Sequence, residues 1–193
     1  MSFDPERHNR RSIRLKGYDY TQPGAYFVTI CTLNRVYLFG GISGDEMYLN
    51  ENGKIVRETW HELPKHYASI ELDAFVVMPN YMHAIISIEA YDVGAGFKPA
   101  PTEFKQHGLS EIIRGFKTFS ARRINQQRNT PGVSIWQRNY WEHVIRNERT
   151  LSSVRLYIVQ DPMRWEVDRY NVNASGPNQQ AKELWQALQA SAR

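Results

Sequence analysis

The stretch VVMPNYMHAII, Val76 to Ile86, sets a Pro-Asn pair between two apolar runs, and its reading decides the fold. A two-residue connection between such runs is a hairpin signal, so Ile70 to Met78 and Met82 to Glu89 are expected as antiparallel neighbours. In the return strand Tyr81 and His83 alternate with Met82. Both polar rings therefore share one face of the sheet, and the methionine takes the other.

Working outward, AYFVTICTL, Ala25 to Leu33, is dense in β-branched and aromatic residues and follows the turn signal Gln22-Pro23-Gly24, which predicts a central strand. Short strands are expected around Phe39 and from Met47 to Leu49. The spacing of Ile55, Val56, Trp60 and Leu63 predicts an amphipathic helix over Asn52 to His66. Downstream, Ala90 to Gln106 is rich in glycine, proline and polar residues and reads as a loop. Leu109, Ile112, Ile113, Phe116, Phe119 and Ile124 then mark the apolar face of a helix from Leu109 to Gln126, with Ser110 as its candidate cap. Strand-like pieces follow at Val133 to Trp136 and Trp141 to Ile145. A short helix from Leu151 to Gln160 must stop near Pro162.

This order predicts an α+β fold: a ferredoxin-like split βαβ sandwich with an antiparallel sheet and helices mainly on one face. Three parts are expected, a basic N-terminal segment over 1–24, the domain over 25–170, and over 171–193 a linker, NVNASGPNQQ, with a terminal helix at Lys182 to Ser191.

A chain of 193 residues suits one domain with a proper core, and its 41% hydrophobic content is that of a globular protein. No run approaches the roughly 18 apolar residues of a membrane span. The charged N-terminus lacks an apolar signal core, so the expected location is the cytoplasm, in association with the nucleoid. The single cysteine, Cys31, excludes an internal disulfide and reads as a small packed residue. Net charge is +4 and the isoelectric point 9.2, but clustering matters more than the sum. Arg10, Arg11, Arg14 and Lys16 crowd the start beside Tyr18 and Tyr20. Arg114, Lys117, Arg122, Arg123 and Arg128 interleave with Phe116 and Phe119. Guanidinium groups neutralise phosphates and aromatic rings stack on unpaired bases, a mixture suited to single-stranded nucleic acid. Ordinary solvated helix faces are the competing reading.

One constellation carries chemistry. Tyr157 and Asp161 sit at helical i and i+4 spacing, and with Tyr81 and His83 they could address one point, although Pro162 puts Asp161 at a helix end. An imidazole and a carboxylate beside a tyrosine suit a divalent metal holding a phosphate while the phenol attacks it. A phenol with a reference pKa of about 10 needs that help at neutral pH. With 11 tyrosines in the chain, spacing alone is weak evidence, and a lone strand histidine is more often a packing residue.

Five stretches together resemble the REP-associated tyrosine transposases, relatives of the IS200/IS605 single-strand transposases in the HUH superfamily. They are RRSIRLKGYDYTQPGAYFVTICTLNR, VVMPNYMHAII, IIRGFKTFSARRIN, IWQRNYWEHVIRNE and YIVQDPMRW, in the family's order and spread over Arg10 to Tyr170. The resemblance implies an IS200-like transposase domain of ferredoxin-like fold that binds a hairpin from a repetitive extragenic palindrome. It implies Tyr157 as the nucleophile, which would cleave and rejoin single-stranded DNA through a 5′-phosphotyrosine, with Mg²⁺ or Mn²⁺ as cofactor. Of the family's MPNHxH pattern only His83 is kept as a metal ligand. Tyr81 stands where the first histidine is expected, and Asp161 stands at the position of an amide.

Tyr81 fits a lesion that leaves DNA binding without cleavage, an active variant with an altered metal shell, or an introduced substitution. Two readings of function follow: a metal-dependent single-strand transposase, and a non-catalytic hairpin-binding protein derived from one. A third is an RNA-binding domain using sheet aromatics. The phosphate contacts expected are Arg10, Arg11, Arg14, Lys16, Arg114, Lys117, Arg122 and Arg123. His143 reads first as a structural hydrogen-bonding residue, and Tyr140 as core or a base-stacking ring. Monomer and homodimer are both open.

Overall fold

The computed structural model describes residues 17–90, 107–176, 179, 182–184 and 186. In chain order its elements are β1 (Gly24–Cys31), β2 (Gly40–Ser43), β3 (Glu46–Leu49), α1 (Glu51–His61), α2 (Leu63–His66), β4 (Ile70–Val77), β5 (Tyr81–Ile88), α3 (Leu109–Arg128), β6 (Trp141–Ile145) and α4 (Glu148–Val159), followed by a 3₁₀ segment over Pro162–Val167. The main sheet has four strands in the order β4-β5-β1-β6, every neighbouring pair antiparallel. With β2 and β3 set aside as a separate ribbon, this is the split βαβ order expected from the sequence.

Alternation divides the sheet as the hairpin predicts. Tyr26, Val28 and Ile30 of β1 and Met82, Ala84 and Ile86 of β5 join Val56 and Trp60 of α1 and Ile112, Ile113 and Phe116 of α3 in the main core. Phe27 and Ile85, on the other face, pack with Ile145 of β6 and with Val154, Tyr157 and Ile158 of α4. Burying each large apolar side chain of this kind contributes about 1.5–3 kcal/mol. Two long helices thus lie on one face, and α4 covers part of the other.

Local chemistry fixes the elements. Asn50 caps α1 by accepting from the Gly53 amide at 3.0 Å, and Asn147 caps α4 by accepting from Thr150 at 2.8 Å. The β4-β5 turn is pinned from outside: the Asn80 side chain donates to the Arg35 and Tyr170 carbonyls at 3.0 and 2.8 Å. Its own carbonyl accepts the Thr32 amide at 2.9 Å.

Several expectations need correction. The helix read over Asn52 to His66 breaks at Glu62, which lies outside both α1 and α2, with Pro64 at the start of α2. The cap of α3 is Gly108, not Ser110. Val133 to Trp136 forms no strand; one bridge, Thr32 to Trp136, is all that pairs there. Helix α4 begins at Glu148 rather than Leu151, because Asn147 supplies the capping oxygen. Arg10, Arg11, Arg14 and Lys16 and the loop over 91–106 lie outside the described residues, as does most of the terminal helix, which is helical at 182–184 and 186. Among the described residues no helix is long and apolar enough to cross a membrane.

Candidate active site

Helix α4 is fastened across the second face of the sheet. Arg155 forms a forked ion pair with Asp73 of β4, Nε to Oδ1 at 3.0 Å and Nη2 to Oδ2 at 2.6 Å. Two residues on, Tyr157 points under the helix, its ring 6.3 Å from Phe27 and 5.6 Å from His83 between centroids. Asp161 keeps helical backbone angles, φ −59° and ψ −42°. Pro162 therefore does not displace it, and the i, i+4 relation to Tyr157 holds.

The four residues singled out from the sequence converge. The Tyr81 hydroxyl donates to Asp161 Oδ2 at 2.8 Å. His83 Nε2 lies 3.9 Å from the same oxygen, while its Nδ1 is 2.8 Å from Thr29 Oγ1. Tyr81, His83 and Asp161 are fully buried and Tyr157 is 4% exposed. Four buried polar atoms there have no hydrogen-bond partner: His83 Nε2, Asp161 Oδ1, the Tyr157 hydroxyl and Asp168 Oδ2.

Burial sets the charge states. It pushes His83 down to about 3, with Arg169 and Arg164 adding to the effect, so the imidazole is neutral at physiological pH. Burial, and then the Asp168 carboxylate, holds Asp161 well above the ordinary carboxylate range. The approach of His83 to Asp161 is thus not an ion pair of the usual kind. Burial, followed by the Asp161 charge, also raises the Tyr157 phenol. The Tyr81 phenol is raised by burial first and Asp161 second, so it stays a hydrogen-bond donor.

Sequence reasoning missed the residues that close this site. Asp168 is fully buried at the end of the 3₁₀ segment, with its Oδ1 accepting the Tyr170 amide at 2.6 Å. Tyr170 packs on Tyr81 at 4.7 Å between ring centroids. The Arg164 guanidinium lies over the Tyr157 ring at 4.6 Å and donates to the Tyr157 carbonyl. Arg35 and Arg169 lie over Tyr170 at 5.3 and 4.9 Å. In MRWEVDRY the charges of Arg164 and Arg169 are balanced by Glu166 and Asp168, so local charge gave no signal for these arginines.

The basic helix does not join this cluster. Helix α3 packs on the opposite face of the sheet. Lys117 donates to the carbonyls of Gln137, Arg138 and Asn139, and burial lowers it to about 8. Arg123 pairs with Glu62 at 2.7 Å and bonds Thr59. Arg114 and Arg122 are exposed. His143 stacks on Trp141 at 6.1 Å, and burial lowers it to about 4. Tyr140 belongs to the main core. Cys31 is partly buried, which raises its thiol to about 11.

As a metal centre the cluster is lean. Among the described residues no three histidine, cysteine or carboxylate side chains converge on one point. His83 Nε2 and Asp161 Oδ1 supply two unpartnered donors. Mg²⁺ is usually held by one or two carboxylates with phosphate oxygens and water completing its shell, and Asp161 is the one carboxylate of this pair.

No family model matches the chain. An uncharacterized protein of Haemophilus influenzae is 39% identical over 176 residues, spanning 86% of this chain and 95% of the relative. A second protein of that organism, described as a candidate REP-associated tyrosine transposase, is 26% identical over 149 residues, 76% of this chain and 74% of its own. Among solved structures, a REP-associated tyrosine transposase bound to a REP hairpin shares the fold with a TM-score of 0.52 and 22% identity, over 78% of this chain and 73% of that one.

Proposed function

Taking the chain as a relative of the REP-associated tyrosine transposases, to which its sequence and fold tie it, we propose that it binds hairpin-forming single-stranded DNA and cleaves and rejoins it through Tyr157. The observation that carries the proposal is a buried Tyr157 hydroxyl with no partner, in one cluster with the unpartnered atoms His83 Nε2 and Asp161 Oδ1.

Tyr157 Oη would attack phosphorus, forming the phosphotyrosine bond to the 5′ side as the bond to the 3′ oxygen breaks. The phenol proton is lost and the 3′ oxygen gains one, leaving a free 3′-OH; rejoining is the reverse. A bound Mg²⁺ or Mn²⁺, held by His83 and Asp161, would supply Lewis-acid polarisation of the phosphate. Arg164, lying over the Tyr157 ring and bonded to its carbonyl, would steady the nucleophile, and Tyr81 would orient the Asp161 carboxyl. Of the phosphate contacts expected from the sequence, Arg122 and Arg114, the latter 3.9 Å from Glu111, are exposed on α3 and would meet the DNA backbone. Such a protein would work in the cytoplasm, at the nucleoid.

The test is incubation with labelled hairpin DNA and Mn²⁺, followed by denaturing electrophoresis. A covalent adduct lost in Tyr157→Phe supports the assignment. No adduct from either the native chain or Tyr81→His sinks it.

A second reading has its own support. Tyr81 occupies the Asp161 oxygen that faces His83, and Tyr81, His83 and Asp161 are sealed from solvent. A protein that binds the hairpin without cutting it would have this arrangement. It predicts salt-sensitive binding without an adduct, and appearance of the adduct in Tyr81→His.

A further inference from the structure

Thr29 stands directly across the β1-β5 ladder from His83 and is 2% exposed. Its hydroxyl lies 2.8 Å from His83 Nδ1. The other ring nitrogen, Nε2, has no protein partner and faces Asp161 Oδ2 at 3.9 Å. A neutral imidazole carries one proton, and its placement decides which nitrogen offers an electron pair.

The burial of Nε2 decides it. A proton there would be a buried N–H with no acceptor, rarer and costlier than an unused lone pair, so the proton belongs on Nδ1, within hydrogen-bond distance of the Thr29 oxygen. The Thr29 hydroxyl oxygen has two lone pairs, so it can accept from a proton on His83 Nδ1. Phe27 packs against the imidazole at 5.0 Å between centroids, which holds the ring plane.

We propose that Thr29 is a positioning residue that holds His83 as the Nδ1–H tautomer and aims the Nε2 lone pair at the Asp161 side of the site. His83 then has a structural end bonded to β1 and a working end with a free electron pair. Tyr170, from the segment after α4, packs edge-on to the same imidazole at 6.0 Å between centroids. What the lone pair is used for rests on the proposed metal-assisted cleavage; the tautomer does not.

Two readouts separate these levels. Long-range ¹H–¹⁵N correlation on the full chain, without metal or DNA, reads the His83 tautomer directly. The native chain and Thr29→Ser should show Nδ1–H, and Thr29→Val, which keeps shape but loses the hydroxyl, should show a population of Nε2–H. Manganese titration followed by electron paramagnetic resonance should show Thr29→Val binding about 10–100-fold more weakly, with Thr29→Ser within about threefold. A native chain in the Nε2–H form, or a Thr29→Val spectrum identical to the native one, overturns the inference. If the tautomers behave as stated and no variant forms a DNA adduct, the role of Thr29 stands and strand cleavage is what fails.

Discussion

The Tyr81 hydroxyl donates to Asp161 Oδ2 at 2.8 Å, joining the hairpin strand to the residue just beyond α4. Asp161 Oδ1 has no partner, so this bond is the one direct hydrogen bond the buried carboxyl side chain receives among the described residues. Tyr81→Phe removes it without changing ring volume. The expected cost is about 1–3 kcal/mol, the penalty of a buried polar group left unsatisfied. Urea unfolding checks it, and a loss under about 0.5 kcal/mol would show that the bond is not holding the site.

Tyr157 should behave in the opposite way. Its hydroxyl is buried without a partner, so Tyr157→Phe removes an unsatisfied group. Stability is expected to stay level or rise by about 1 kcal/mol, while any covalent DNA adduct disappears and hairpin affinity stays within about threefold. A variant that is destabilised and also fails to bind would place Tyr157 in the framework instead of the chemistry.

How far the sequence carried these conclusions depends on range. The alternation of Tyr81, Met82 and His83 placed both polar rings on one face, because a strand's period is local. The spacing of Tyr157 and Asp161 held for the same reason. Asp168 and Tyr170 were not legible: they reach the site through a 3₁₀ segment and a turn whose course is set by distant bonds, such as that from Asn80 to the Tyr170 carbonyl. Lys117 read as a phosphate contact because charge is visible in sequence, whereas the three carbonyls that hold it are not. The break between α1 and α2 had a visible cause in Pro64, but a continuous apolar spacing concealed it.

The buried titratable groups predict opposing effects of pH. His83 is depressed to about 3 in the folded state, so between that value and the ordinary 6.5 the unfolded chain binds more protons and stability falls as pH falls. Asp161 is raised, so above the ordinary carboxylate range the folded chain retains the proton and stability falls as pH rises. His83→Gln should flatten the loss of melting temperature between about pH 6.5 and 4. Asp161→Asn, which still accepts from Tyr81, should stabilise the protein at pH 8 by about 1–3 kcal/mol, with the gain shrinking towards acid. Melting curves parallel to the native one across the whole range would contradict both.

Gly53 offers a sharper test of the fold. Alanine in a helix interior normally gains about 0.5–1 kcal/mol over glycine. Here a Cβ would lie 2.3 Å from the Phe39 carbonyl and 2.8 Å from Leu49 Cδ2. That carbonyl also accepts the Asn50 amide at 3.0 Å, so it cannot simply move aside. Gly53→Ala is therefore expected to lose about 1–3 kcal/mol through overpacking. Gly41→Ala, with nothing within 4 Å of its Cβ, is the control and should change stability by less than about 0.5 kcal/mol.

The basic residues of α3 should divide into two groups by salt dependence. Arg114 and Arg122 are exposed, whereas Lys117 is tied to the 137–139 backbone and Arg123 to Glu62. A cation that meets a phosphate releases counterions, so Arg114→Ala and Arg122→Ala should each reduce the slope of log affinity against log salt by roughly 0.7–0.9 for hairpin DNA. Lys117→Met should leave that slope unchanged and instead lower stability by about 1–3 kcal/mol, because three carbonyls lose their donor. Arg123→Ala should cost less than Lys117→Met, since its ion pair is partly exposed. Hairpin titrations at several salt concentrations, paired with unfolding curves, separate the groups. Equal slopes for all four variants would remove α3 from the DNA-binding surface and move that surface to the arginines beside Tyr170.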